Sequence, residues 1–129
     1  KLSNRSFISS TFWSERSGFV AGIATLNEMK RIKSWKIISA KGRKIKRLLS
    51  LEAQKWGLII KFSGLDALIK FNILNPKIKD YQKIITSEMI KYNFLATNSI
   101  YVSVTHTEKL IKKYVKEMSK IFKKISHKK

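Results

Sequence analysis

The chain has 129 residues, enough for one domain with a buried core and short of two full-sized ones. Apolar residues make up 43%, which separates it from disordered compositions, and the lack of cysteine excludes disulfides, thiolate metal sites and cysteine nucleophiles together. Lys and Arg number 28 against 8 Asp and Glu, a formal balance of +20 that would draw in any polyanion.

Residues 1–13 are polar at first and then β-prone, with Phe7, Ile8, Thr11, Phe12 and Trp13. From Ser17 to about Arg31 the small and apolar residues Gly18, Val20, Ala21, Ala24, Thr25 and Leu26 predict a tightly packed helix. Residues 34–56 read as a longer helix with Ser34 as its N-cap. Ile38, Ile45, Leu48, Leu49 and Trp56 return there at helical spacing. Gly42 inside this helix costs about 1 kcal/mol relative to Ala. The cluster Lys41, Arg43, Lys44, Lys46 and Arg47 reads as a solvated outer face or, less simply, as a polyanion patch. Gly57 supplies the C-cap.

Residues 58–62 and 67–74 read as neighbouring strands, with the turn placed at Ser63 and Gly64. In the second run Leu68, Lys70 and Asn72 alternate with Ile69, Phe71 and Ile73, the period of a half-buried strand. Asn75 and Pro76 close the unit. Asp80 can cap a third helix that carries Tyr81, Ile84, Ile85, Met89 and Ile90 on one stripe and ends near Asn93. A short strand over 100–104 follows, then a capping box in which the Thr105 hydroxyl and the Glu108 carboxylate satisfy each other's backbone N–H groups. The last helix sets Leu110, Ile111, Tyr114, Val115, Met118, Ile121 and Phe122 in amphipathic order, with a fraying basic tail over 123–129.

This order predicts an α+β domain, a small and mainly antiparallel sheet with helices on one face. The first 33 residues, richer in Ser, Gly and Ala, predict a separate packing environment, so the chain divides into 1–33 and 34–129. No apolar run approaches the roughly 18 residues of a membrane helix, and no signal peptide is evident, so a cytoplasmic protein without a membrane partner is expected. The start at Lys1 suggests a processed, trimmed or partial product.

A complete catalytic set is hard to assemble. His127 lies in the basic tail, and His106 at a helix start reads as a structural histidine before a catalytic base. The carboxylates are scattered and no two histidines stand at ligand spacing, so no metal site is expected. No Gly-rich phosphate loop occurs. Glu15 beside Arg16 is an active-site pair or, more cheaply, an exposed ion pair. Ser9, Ser10 and Thr11, leading through Ser14 into a helix, offer small hydroxyls and backbone N–H groups that can bind a phosphate.

The run from Phe7 to Arg16 (FISSTFWSER), followed by Ala21 to Leu26 (AGIATL), resembles a segment of class III aminotransferases. It is most similar to the branch of glutamate-1-semialdehyde 2,1-aminomutase, which uses pyridoxal 5′-phosphate. Thr86 to Lys91 (TSEMIK) with Phe94-Leu95-Ala96 resembles a helix of that family, and Tyr101 to Glu108 (YVSVTHTE) its last strand and His-Thr turn. Gly64 to Leu68 (GLDAL) resembles the small-domain strand turn. Ser87 stands where the family has Gln, and Asp66 and Ile69 replace prolines.

The resemblance implies the C-terminal small domain of a fold-type I pyridoxal-phosphate enzyme over 34–129, with 1–33 as a remnant of the large cofactor-binding domain plus a linking helix. It implies amino-group transfer between small molecules in a homodimer. The family's cofactor-bonding lysine and its ring-pairing aspartate precede the segment matching Phe7, so the resemblance assigns no catalytic residue to this chain and implies that it is inactive alone. It does imply that Ser10 and Thr11 donate hydrogen bonds to the cofactor phosphate of the neighbouring subunit. It gives no role to Glu15, Arg16 or His106. With the enzymatic reading no specific nucleic acid is expected as a partner; the alternative, from the charge, is a small basic module that binds nucleic acid or an anionic surface.

Overall fold

The computed structural model describes residues 15–76 and 79–127. The chain divides into two units, Lys1–Lys33 and Ser34–Lys129.

In the first unit, helix α1 spans Arg16–Ile32, one residue beyond the predicted helix at each end. Lys33 closes it in the left-handed region (φ 52°, ψ 47°), where its N–H donates to the Lys30 carbonyl. The sequence predicts tight packing, but α1 buries none of its residues. At Gly18 and Gly22 nothing lies within 4 Å of where a Cβ would stand. The large apolar residues Phe19, Val20, Ile23 and Leu26 of this helix are exposed.

In the second unit, α2 spans Ser34–Lys55. Ser34 is not the expected N-cap. A capping residue needs extended backbone at its own position, whereas Ser34 is already helical and its buried hydroxyl has no partner among the described residues. The other end follows the expectation. Gly57 adopts φ +65°, the Leu58 N–H returns to the Ala53 carbonyl, and the Gly57 N–H returns to Gln54. These two bonds make a Schellman closure, and Ala53 and Leu58 are both buried beside it.

Strands β1 (Ile60–Leu65) and β2 (Leu68–Ile73) pair antiparallel from Ile60↔Ile73 to Leu65↔Leu68. The turn therefore falls at Asp66 and Ala67, not at Ser63 and Gly64. Gly64 serves the ladder instead: at φ +79° a Cβ there would stand 2.5 Å from the Leu68 carbonyl oxygen. The predicted alternation in β2 holds, with Ile69, Phe71 and Ile73 buried and Lys70 and Asn72 exposed. Asn75 fastens the base of the hairpin, accepting from the Ile59 N–H at 2.8 Å and donating to the Gly57 carbonyl at 3.0 Å.

Helix α3 (Tyr81–Ile90) buries Tyr81, Ile85 and Met89. Ile90 falls outside that stripe, rotated about 100° past Met89, and is exposed. Asp80 occupies the N-cap position but its side chain makes no capping bond. Asn93 at φ 64° closes the helix, with the Phe94 N–H returning to Met89 and its own N–H to Ile90. Strand β3 is shorter than expected, Ser99–Tyr101, and pairs antiparallel with β2 to give the order β1-β2-β3. It stops because side chains take over the backbone groups: Ser103 N–H donates to His106 Nδ1 at 3.3 Å, and Thr105 N–H to Ser103 Oγ at 3.2 Å.

Helix α4 spans Glu108–Ser126, and its cap is Thr107, whose hydroxyl accepts from the Leu110 N–H. The expected Thr105–Glu108 box is not formed, because the cap is two residues later, which makes Glu108 the first helical residue and not the third, and its carboxylate reaches Lys44. Ile111, Val115, Met118, Ile121, Phe122 and Ile125 are buried, while Leu110 is partly exposed. They join Ile45 and Leu49 of α2, Ile85 and Met89 of α3, and Ile69 and Phe71 of β2 in one core. The fold is α+β, with the buried side of a small antiparallel sheet facing helices and Lys70 and Asn72 on the other side.

Candidate functional site

Ser10 and Thr11, the residues assigned to cofactor phosphate, lie outside the described residues, as do Ser9 and Ser14. Glu15 and Arg16 open α1. The Glu15 carboxylate accepts from the Ser17 hydroxyl, and among the described residues it forms no ion pair with Arg16.

The basic cluster on α2 is mostly neither an open patch nor a free solvated face. Asp66, at the tip of the hairpin, accepts from Lys46 Nζ at 2.9 Å and from Arg43 at 3.1 Å. The Lys46 hydrogen bond, and then that of Arg43, hold its carboxyl below the usual range. Lys41 donates to the Val104 carbonyl at 2.6 Å, and Lys44 pairs with Glu108, whose carboxyl it lowers. The hairpin tip can come this close only because Gly42 lacks a side chain. A Cβ there would stand 1.9 Å from the Asp66 carbonyl oxygen. The glycine that weakens the helix pattern is thus what brings the cations of α2 to Asp66.

A cavity of about 220 Å³ opens between the loop after α3, β3 and the start of α4. Phe94, Ala96, Ile100, His106, Ile111 and Tyr114 form much of its wall. Phe94 and Tyr114 meet edge to face, with centroids 5.5 Å apart. The Tyr114 hydroxyl is buried without a partner among the described residues, and burial pushes its pKa up. The sequence places Tyr114 correctly on the apolar stripe of α4, but nothing in that stripe signals an unpartnered hydroxyl. The His106 Nδ1 accepts from the Ser103 backbone N–H. His127 packs edge-on against Trp56, centroids 5.8 Å apart.

The cavity wall offers the imidazole of His106, the phenols of Tyr101 and Tyr114 and the hydroxyl of Ser99, with neither a lysine amine nor a carboxylate. A pyridoxal cofactor held by a lysine and an acidic partner to its ring nitrogen would find neither group there. This cavity therefore lacks the groups that would hold such a cofactor. No group of three or more His, Asp or Glu among the described residues could hold a metal ion. No helix among them is long and apolar enough to cross a membrane.

No protein-family model matches the chain, and no curated protein sequence matches it. Among solved structures, it is similar to the pyridoxal-phosphate internal aldimine form of the FumI protein of Sphingopyxis sp. MTA144. The TM-score is 0.77 at 16% identity, over 95% of this chain and 30% of the other. The chain thus spans about a third of the length of that structure and shares its fold over that portion.

Proposed function

We propose that this chain is the C-terminal part of a pyridoxal-phosphate-dependent enzyme of the class III aminotransferase type, close to the glutamate-1-semialdehyde aminomutase branch. The observation that carries the reading is a likeness of fold over 95% of the chain to less than a third of a protein whose structure holds that cofactor. The family-like runs at 7–16, 86–91 and 101–108 support it independently. In the complete homodimeric enzyme the cofactor acts as the electron sink for amino-group transfer. In this reading Ser10 and Thr11 hold the cofactor phosphate across the subunit interface, and the lysine and the acidic ring partner come from the part of the enzyme that precedes this sequence. The second unit, in this reading, supplies an α+β platform, and none of its described residues is assigned a reacting role.

Two measurements test this. The purified chain, incubated with pyridoxal 5′-phosphate and reduced with borohydride, is expected to show no single lysine labelled stoichiometrically. One fully labelled lysine overturns the division of labour. In the complete protein, Thr11→Ala removes a charge-assisted hydrogen bond worth about 1.5–3 kcal/mol and should weaken cofactor affinity roughly tenfold or more. Unchanged affinity removes Thr11 from the phosphate site.

A further inference from the structure

Helix α4 sorts its residues by chemistry more sharply than the other elements. Its inward side is filled by Ile111, Val115, Met118, Phe122 and Ile125, all buried. On the outward side, Lys109, Lys112, Lys113 and Lys116 are followed by Lys120, Lys123 and Lys124, and all seven are exposed. At 3.6 residues per turn they fall within about one third of the helix circumference, in a row about 22 Å long. Lys120 pairs with Glu117 and Lys124 with Glu88. Lys109, Lys112 and Lys116 form no ion pair among the described residues. Lys112, Lys116 and Lys120 also line the groove between α4 and Leu48 and Glu52 of α2.

We propose that this lysine face is a docking surface for the phosphate backbone of duplex nucleic acid, bound without sequence preference. This goes beyond the enzymatic reading and does not depend on it. Charge complementarity supplies the attraction, since a duplex carries one negative charge per roughly 1.7 Å of axis. Two features narrow the partner. A basic helix that adheres to a lipid surface inserts its apolar side, and here that side is buried in the core. A single-strand site stacks bases on open aromatic rings. The rings along this face are instead approached by lysines: Phe94 by Lys113 at 5.5 Å, Tyr92 by Lys120 at 4.8 Å and Trp56 by Lys123 at 5.3 Å. What remains is a row of ammonium groups that reads charge and not bases.

The test is fluorescence anisotropy of a short labelled duplex of mixed sequence, titrated with the chain at several salt concentrations. The triple variant Lys109→Gln/Lys112→Gln/Lys116→Gln should weaken binding at low salt and flatten the log-affinity against log-salt slope by about 3. The control Lys36→Gln/Lys61→Gln/Lys70→Gln removes the same charge elsewhere, two of its three lysines lying on the outer side of the sheet, and should lose far less. Equal losses in the two variants would mean that the +20 surplus acts in bulk, and the proposal falls. It falls equally if the wild-type chain shows no duplex binding at low salt. Tighter binding to a single strand of the same length, or to phosphatidylserine vesicles at matched phosphate, also overturns it. Thermal melts of both variants establish that each is folded.

Discussion

Gly42 and Gly57 carry the same side chain for different reasons, and substitution separates them. At Gly57 the backbone is left-handed with open space around it, so Gly57→Ala meets only the conformational penalty, about 1–2 kcal/mol. At Gly42 the backbone is helical, and alanine would gain about 1 kcal/mol of helix propensity. Its methyl, however, would drive into the Asp66 carbonyl, and a backbone atom held by the hairpin cannot swing aside as a side chain can. Overpacking of this kind costs up to about 3 kcal/mol and outweighs the propensity gain. Urea melts should therefore find Gly42→Ala destabilised in spite of its gain in helix propensity, with Asp66→Asn, which loses the pairs with Lys46 and Arg43, destabilised more mildly. If Gly42→Ala proves neutral, the hairpin tip does not bear on α2.

At the scale of elements, the start of α4 offers two threonines two residues apart, and only one caps. Thr107→Ala should cost about 1 kcal/mol, the usual loss for a capping hydroxyl, while Thr105→Ala should cost less because its hydroxyl only meets Ser103. Thermal melts of the pair decide between the observed cap and the box suggested by the sequence. That shift of two residues is typical of what the sequence conveys here. Periodicity names buried positions well: Ile69, Phe71 and Ile73, and Ile111, Val115 and Met118, are all inside. It is silent on which of two equivalent hydroxyls captures an N–H, because that depends on where the preceding loop leaves the chain. The hairpin turn was misplaced for a similar reason. Gly64 signals positive φ, and positive φ occurs inside a ladder as well as at a turn. The ion pairs of α2 were legible as charge and illegible as contacts, since Asp66 and Glu108 are 20 and 64 residues away from Lys46 and Lys44. Of the candidate site, Ser10 and Thr11 are legible by residue type as a phosphate-binding turn and by family likeness as a cofactor contact, and they lie outside the described residues.

For the whole molecule, eight carboxylates stand against 28 Lys and Arg and leave a surplus of twenty positive charges, and pH and salt reveal how they act. Lys46 and Arg43 lower Asp66, Lys124 and Lys91 lower Glu88, and Lys55 and Ser119 lower Glu52. A carboxylate lowered in the folded state takes up its proton first in the unfolded chain. Its stabilisation is complete above the unfolded value near about pH 4 and is lost as pH falls through the lower folded value. Full protonation also leaves 28 Lys and Arg unopposed, so melting temperature should hold steady from neutral pH to about pH 5 and then drop steeply. At neutral pH, salt acts on two terms of opposite sign. It weakens ion pairs, each worth only about 0.2–1 kcal/mol when exposed, and it screens repulsion among cations spread over the surface. The pairs at 2.9–3.1 Å lie well inside the Debye length, which shrinks from about 30 Å at 0.01 M to about 8 Å at 0.15 M. Repulsions acting across the domain lie outside the shorter length and are cut most. Melting temperature should therefore rise with sodium chloride over that range, and more in the wild type than in a variant with several exposed lysines changed to glutamine. A fall would mean that the contacts around Asp66 and Glu88, and not the unpaired surplus, set the electrostatic balance of the fold.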